Sequence, residues 1–115
     1  MRAAGALFEQ RACAELQRAG LKLLDRNYTT RYGEIDLVML DRDTVVFVEV
    51  RHRLHGGAAA SVTTRKQARL IAAAELWLAA HPSHAKHPCR FDVVSYDGPA
   101  PDARMTRWRN AFESC

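Results

Sequence analysis

Apolar residues recur at steps of three and four through the first twenty positions, where Gly5, Phe8, Ala12, Leu16 and Ala19 fall on one stripe and Gly20 follows as a stop. That period predicts a helix over residues 2–19. Glu9 falls within the same stripe, so the helix carries an acid on its apolar face, where it needs a partner. Leu21, Leu23 and Leu24 then suggest a strand over residues 21–28, followed by a turn from Thr29 to Gly33 that contains Arg31. Two β-rich runs come next, Glu34–Leu40 and Thr44–Arg51, separated by Asp41-Arg42-Asp43. They form the clearest hairpin in the chain. The small residues over 54–61 read as a mobile loop. A second helix is expected over residues 64–80, with Thr64 and Gln67 as a capping box, Leu70, Ile71, Ala74, Trp77 and Leu78 as its stripe, and Lys66 at the rim. After a loop with two prolines, residues 90–95 read as a strand, residues 97–101 as a turn and residues 105–112 as a strand at the sheet edge.

The hairpin has a register that bears on chemistry. With Arg42 and Asp43 as loop residues, Asp41 faces Thr44, Leu40 faces Val45, Val38 faces Phe47, and Asp36 faces Glu49. A one-residue slip would send the two acids to opposite faces. Arg51, two residues beyond Glu49, shares its face in any register because strand side chains alternate.

The chain has 115 residues, 48% hydrophobic and 26% charged, which fits one ordinary globular domain over 1–115 with its core in 2–112. No apolar run approaches the ~18 residues of a membrane span. Glu9 comes too early for a signal peptide, so neither a transmembrane nor a secreted protein is expected. Seventeen Lys and Arg against thirteen Asp and Glu give +4, a modest excess that suits a polyanionic partner. Cys13, Cys89 and Cys115 are odd in number and lack C-x-x-C spacing, which fits reduced thiols in the cytoplasm.

Asp36, Glu49 and Arg51 on one sheet face, with Glu9 projecting from the first helix, have the logic of a hard-cation site. Mg²⁺ or Mn²⁺ takes oxygen ligands, commonly one or two carboxylates plus a substrate phosphate. The competing reading is a set of surface ion pairs. Against it, Glu49 lies among Val45, Val46, Phe47, Val48 and Val50, in a strand too apolar to be a freely solvated edge. His81, His84, His87 and Cys89 offer zinc donors without a zinc signature in their spacing, so a solvated linker is the simpler reading. Arg26, Arg31, Arg51, Arg53, Arg65, Lys66 and Arg69 bracket the acids in sequence, as counterions for phosphate would. Trp77, at helical spacing, reads as core, whereas Trp108 lies among arginines and is open to either a core or a base-stacking role.

Several segments carry a family resemblance: Gly5-x-x-x-Glu9-x-x-Ala12, Leu24-x-Arg26-Asn27, Gly33-Glu34-Ile35-Asp36-Leu37 and Val46-Phe47-Val48-Glu49-Val50. Lys66 with Leu70, Arg90-Phe91-Asp92-Val93-Val94 and Asn110-Ala111-Phe112 extend it over nearly the whole chain. In order and spacing the chain resembles the YraN-type UPF0102 family of small bacterial proteins. That family is in turn similar to the PD-(D/E)XK nuclease superfamily, particularly the archaeal Holliday-junction resolvases. The resemblance implies an α/β fold, a single three-layer, restriction-endonuclease-like domain with a central mixed sheet flanked by helices. It also implies a Mg²⁺- or Mn²⁺-dependent endonuclease acting on DNA, on branched or recombination intermediates, and working as a homodimer. Carried over, Glu9 matches the first-helix acid, Asp36 the metal-binding aspartate and Glu49 the acid of the Glu-x-Lys element, with the Val50 carbonyl as a further ligand. Arg51 stands where the pattern prefers lysine, and Lys66 is the expected source of the missing ammonium. Arg51 and Lys66 would contact phosphate, and Arg26, Arg31, Arg53, Arg65 and Arg69 would line the nucleic acid. Because arginine cannot act as a base, a non-cleaving nucleic-acid-binding module with a degenerate site is the alternative. A protein-interaction domain with structural ion pairs is a third.

Overall fold

The first apolar stripe forms helix α1 (Ala3–Arg18), which buries Phe8, Ala12, Cys13 and Leu16. The computed structural model describes residues 3–113, with side chains from residue 5, so the expected helix start at Arg2 and Cys115 lie outside the described residues. Gly20 ends α1 in the left-handed region at φ 101°. There the Leu21 N–H returns to the Leu16 carbonyl and the Gly20 N–H to that of Gln17. This is a Schellman motif, and Leu16 and Leu21 supply the apolar contact that accompanies it.

The remaining elements are β1 (Lys22–Thr30), β2 (Gly33–Asp41), β3 (Thr44–Arg53), α2 (Thr64–Ala80), β4 (Cys89–Asp97) and β5 (Arg104–Phe112). The strands form one sheet in the order β1-β2-β3-β4-β5. Only β3 and β4 run parallel, joined by the crossover through α2. Alternation along β3 sends Val46 and Val48 into a core beneath α1, and Val45 and Phe47 into a second core beneath α2. The result is an α/β domain of three layers with helices on opposite faces of a mixed sheet. No described helix is long and apolar enough to cross a membrane.

Several boundaries differ from those read in the sequence. β1 continues to Thr30, because the Thr30 hydroxyl accepts the Tyr32 and Gly33 N–H groups and thereby tightens the turn to Arg31 and Tyr32. The cap of α2 is Thr63 instead of Thr64: its extended backbone lets the hydroxyl accept the Lys66 N–H, while Gln67 donates to the Val62 carbonyl. The second half of the loop over 54–61 is pinned. It contains a 3-10 turn (Ala59–Ser61), and the N–H of buried Ala58 donates to the Asp97 carboxylate at 2.9 Å.

Hydrophobic periodicity gave no sign of a buried ionic knot at the far end of β4. Asp92, fully buried, accepts from Arg90 at 3.0 Å and from the Asn110 N–H at 2.9 Å, and Arg107 lies 3.6 Å away. Arg90 also bonds Asp41 at 3.0 Å, which ties the β2–β3 hairpin to β4. Asp92→Ala is expected to destabilise the fold by about 3–5 kcal/mol, since it removes the buried carboxylate that Arg90 and Arg107 both face and leaves Arg107 without its acidic partner. Urea unfolding measures this, and a loss under about 1 kcal/mol would reject the network as a structural element.

Candidate functional site

The hairpin register is as the turn length predicts, with Asp41 opposite Thr44, Leu40 opposite Val45 and Val38 opposite Phe47. The ladder ends at Leu37 and Val48, one pair before Asp36 and Glu49. Beyond it β2 breaks its alternation. Ile35 packs in the core beneath α2 and Leu37 in that beneath α1, although strand residues two apart normally share a face. At this fork the Asp36 carboxylate accepts the Val50 N–H at 2.8 Å, where a strand carbonyl would otherwise be the partner. An extended residue directs its N–H and C=O to the same side, so the Val50 carbonyl faces the same gap.

Asp36 and Glu49 are both buried, and their carboxyl groups are in hydrogen-bond contact. Burial, then the charge of Glu49, pushes the Asp36 carboxyl up to about 9; the Val50 N–H opposes this and the Glu9 charge adds to it. Asp36 therefore holds a proton at neutral pH in the absence of a cation. The donor set is all oxygen, and the Asp36 and Glu49 carboxyls crowd one another in a buried gap. Both features fit a hard divalent cation.

Two cations approach Glu49. The Arg51 Nε and the Lys66 Nζ each lie 3.5 Å from the same oxygen, Oε2. Arg51 reaches it along β3, as period two requires. Lys66 comes from the first turn of α2, across the crossover. Among the described residues the buried Arg51 Nε has no hydrogen-bond partner, so its contact with Glu49 is an ion pair without hydrogen-bond geometry.

Glu9 enters from the opposite face on α1, and the Asn27 side chain donates to its Oε1 at 2.9 Å. Asn27 has φ 52°, a left-handed conformation that asparagine tolerates, in the strand beside Asp36. Glu34, not singled out in the sequence, completes the acidic group. Carboxylate oxygens of Glu9, Glu34 and Asp36 all lie within 4.8 Å of one another. The signal was available: Glu34 and Asp36 are two apart on one strand. Glu34 also accepts from the Thr29 hydroxyl at 3.2 Å.

The family model described as Uncharacterised protein family UPF0102 matches residues 8–96, a span that contains Glu9, Asp36, Glu49, Arg51 and Lys66. The chain belongs to the UPF0102 family. A UPF0102 protein of Stutzerimonas stutzeri strain A1501 is 58% identical over 110 residues, which cover 92% of this chain and 91% of that one. Another from Pseudomonas putida strain GB-1 is 54% identical over 114 residues, covering 96% and 93%. One from Pseudomonas aeruginosa strain LESB58 is 54% identical over 112 residues, covering 92% and 89%.

In this UPF0102 protein the expected nucleic-acid arginines do not form one patch. Arg65 and Arg69 are exposed on α2, and Arg69 lies beside Gly33 at the end of the β1–β2 turn, which also carries exposed Arg31. Arg31 stacks over the Tyr32 ring at 4.7 Å. Arg53 is exposed at the end of β3, where its guanidinium bonds the His52 carbonyl. Arg26 instead points toward Cys13 of α1, on the opposite sheet face, because β1 alternation sends it there. In the His81–Cys89 loop, His81 stacks on Trp77 at 3.9 Å and its Nδ1 lies 2.7 Å from the Trp77 carbonyl. Among the described residues, only Glu9, Glu34 and Asp36 gather three such donors; the loop's histidines and Cys89 do not.

Proposed function

We propose that this protein is a divalent-cation-dependent endonuclease acting on DNA, with branched or recombination intermediates as its substrate class. The observation that carries the reading is the Asp36–Glu49 pair, held in contact at a fork in the sheet by the Val50 N–H. Asp36, Glu49 and the Val50 carbonyl would hold Mg²⁺ or Mn²⁺. A cation bound there would offset charge on the scissile phosphate and make water a better nucleophile. Glu9, supported by Asn27, orients water on the α1 side of the pair. Arginine does not serve as a base, so the part of Arg51 is to hold phosphate. Lys66 brings an ammonium to the same carboxylate from the other side and stabilises charge developing on the phosphate. Arg31, Arg53, Arg65 and Arg69, with Arg26 on the other face, would contact the DNA backbone. The reading includes a homodimer, which would give a four-way junction its two cuts, and a cytoplasmic location, where DNA is met.

The PD-(D/E)XK resemblance and the all-oxygen donor set support this reading. A second reading, a nucleic-acid-binding module that does not cut, draws on a specific contact: Glu49 is engaged by two side-chain cations, each at 3.5 Å, which compete with a metal for it. The test is cleavage of labelled duplex, single-stranded, flapped and four-way-junction DNA in Mn²⁺, Mg²⁺ or EDTA. Metal-dependent cutting supports the enzyme. A salt-sensitive gel shift without cutting supports the module, and loss of both rejects a nucleic-acid role.

Lys66→Met is expected to lower the cleavage rate by roughly 10²–10³-fold, by removal of a donor aimed at developing charge. The effect falls on kcat more than on KM, and Lys66→Arg recovers part of it. Single-turnover kinetics separate the two, and an unchanged rate would assign the lysine to a structural ion pair.

A further inference from the structure

We propose that Trp108 is a stacking platform for an unpaired nucleobase, so that the nucleic acid beside the acidic pair is engaged as a single strand. This rests on the nucleic-acid reading above and deepens it by naming the form of substrate. Trp108 is 46% exposed, unusual for an indole in so small a domain. Its ring is nevertheless fixed: Nε1 donates to the Ser95 hydroxyl at 2.9 Å, and that hydroxyl donates to the Thr106 carbonyl at 3.4 Å. With its one polar group satisfied inside the protein, the indole offers solvent only its flat apolar surface. Trp77 is the contrast, since it is 1% exposed, packed beneath α2 and bonded to Asp25.

The position of the ring relates it to the acids. Glu49 pairs with Val93 across β3 and β4, and Val93 pairs with Trp108 across β4 and β5. Directly paired residues share a sheet face. Trp108 therefore stands two strands from Glu49, roughly 10 Å at ~4.8 Å per strand. Ser95, which anchors the ring, pairs in turn with Arg51. The row thus has Arg51 and Lys66 for phosphate at one end and a fixed aromatic surface at the other. Between α2 and β5 lies a cleft of about 490 Å³, lined by Val62, Gln67, Val93, Trp108, Asn110 and Phe112. A cleft of this size suits a flat small ligand, ~300–1,000 Å³ being usual. Cationic residues beside a free aromatic face are the combination that single-stranded nucleic acids use, because every base has a π-face and every linkage a charge.

The test uses the full chain in EDTA, titrated with oligo(dT) single strand and with a blunt duplex of equal length, read by tryptophan emission and gel shift. Oligo(dT) is expected to quench the emission of Trp108, which Trp108→Phe identifies against the buried Trp77. Trp108→Ala is expected to weaken single-strand binding by about 5- to 100-fold. Its duplex affinity and melting temperature should stay near wild type, and Trp108→Phe should restore much of the single-strand binding. Unchanged single-strand affinity in Trp108→Ala, with wild type still binding or cutting DNA, overturns the platform and leaves the nucleic-acid reading intact. If wild type neither binds nor cuts any DNA, that reading fails and takes the platform with it. Dissociation of a dimer by Trp108→Ala, at constant single-strand affinity, assigns the surface to a second copy of the chain and also overturns the proposal.

Discussion

Glu49→Gln and Asp36→Asn are each expected to reduce metal-dependent DNA cleavage by about 10³-fold or more, with the fold retained. Both changes remove a negative oxygen from the proposed cation site and keep the side-chain shape. The asparagine carbonyl can still accept the Val50 N–H that Asp36 now receives at 2.8 Å, so the fork in the sheet should persist. The glutamine in Glu49→Gln leaves Arg51 and Lys66 without their shared carboxylate, and both are then free to contact phosphate. This variant should therefore keep or improve DNA binding while losing cleavage. Single-turnover cleavage, gel shift and circular dichroism on the same preparations separate these effects. If either folded variant cleaves at the wild-type rate, the acidic pair is not the reacting centre.

The second large effect couples stability to pH and cation. The folded protein raises the Asp36 carboxyl from 3.8 to about 9, through burial first and the Glu49 charge second. The folded state thus binds this proton more tightly than the unfolded chain does. Its contribution is fully present below about pH 4, declines as pH rises, and is gone once pH passes about 9. Without divalent cation, Asp36→Asn should therefore gain on wild type across that range, by roughly 5 °C or more in melting temperature at its alkaline end. Mn²⁺ or Mg²⁺ should reverse the order by stabilising wild type and not the variant, since only the ionised carboxylate is a good ligand. Binding should release a proton and tighten as pH rises. Thermal melts at several pH values, with EDTA or Mn²⁺, give both readings. Parallel curves for the two proteins would show that Asp36 carries no such shift.

Much of the candidate site follows from local patterns. Period two places Arg51 beside Glu49, and the two-residue Arg42–Asp43 turn sets the hairpin register that brings Asp36 toward Glu49. Glu9 was legible as an anomaly, an acid on the stripe that buries Phe8, Ala12 and Leu16. Glu34 was passed over because an acid next to a turn glycine looks like ordinary surface. Asp92 was hidden for a related reason: it sits in an apolar run, and its arginine partners Arg90 and Arg107 come from β4 and β5.

The sequence by itself determined the two helices, the hairpin and its pairing, and the shared face of Glu49 and Arg51. Each depends on side-chain period or turn length, which act over a few neighbouring residues. Tertiary structure decided the rest. It splayed the sheet after Leu37 and Val48, brought Lys66 from α2 to within 3.5 Å of Glu49 and left Trp108 half exposed. These outcomes depend on which element lies over which strand, and no local period encodes a contact between residues that only the packed sheet makes neighbours.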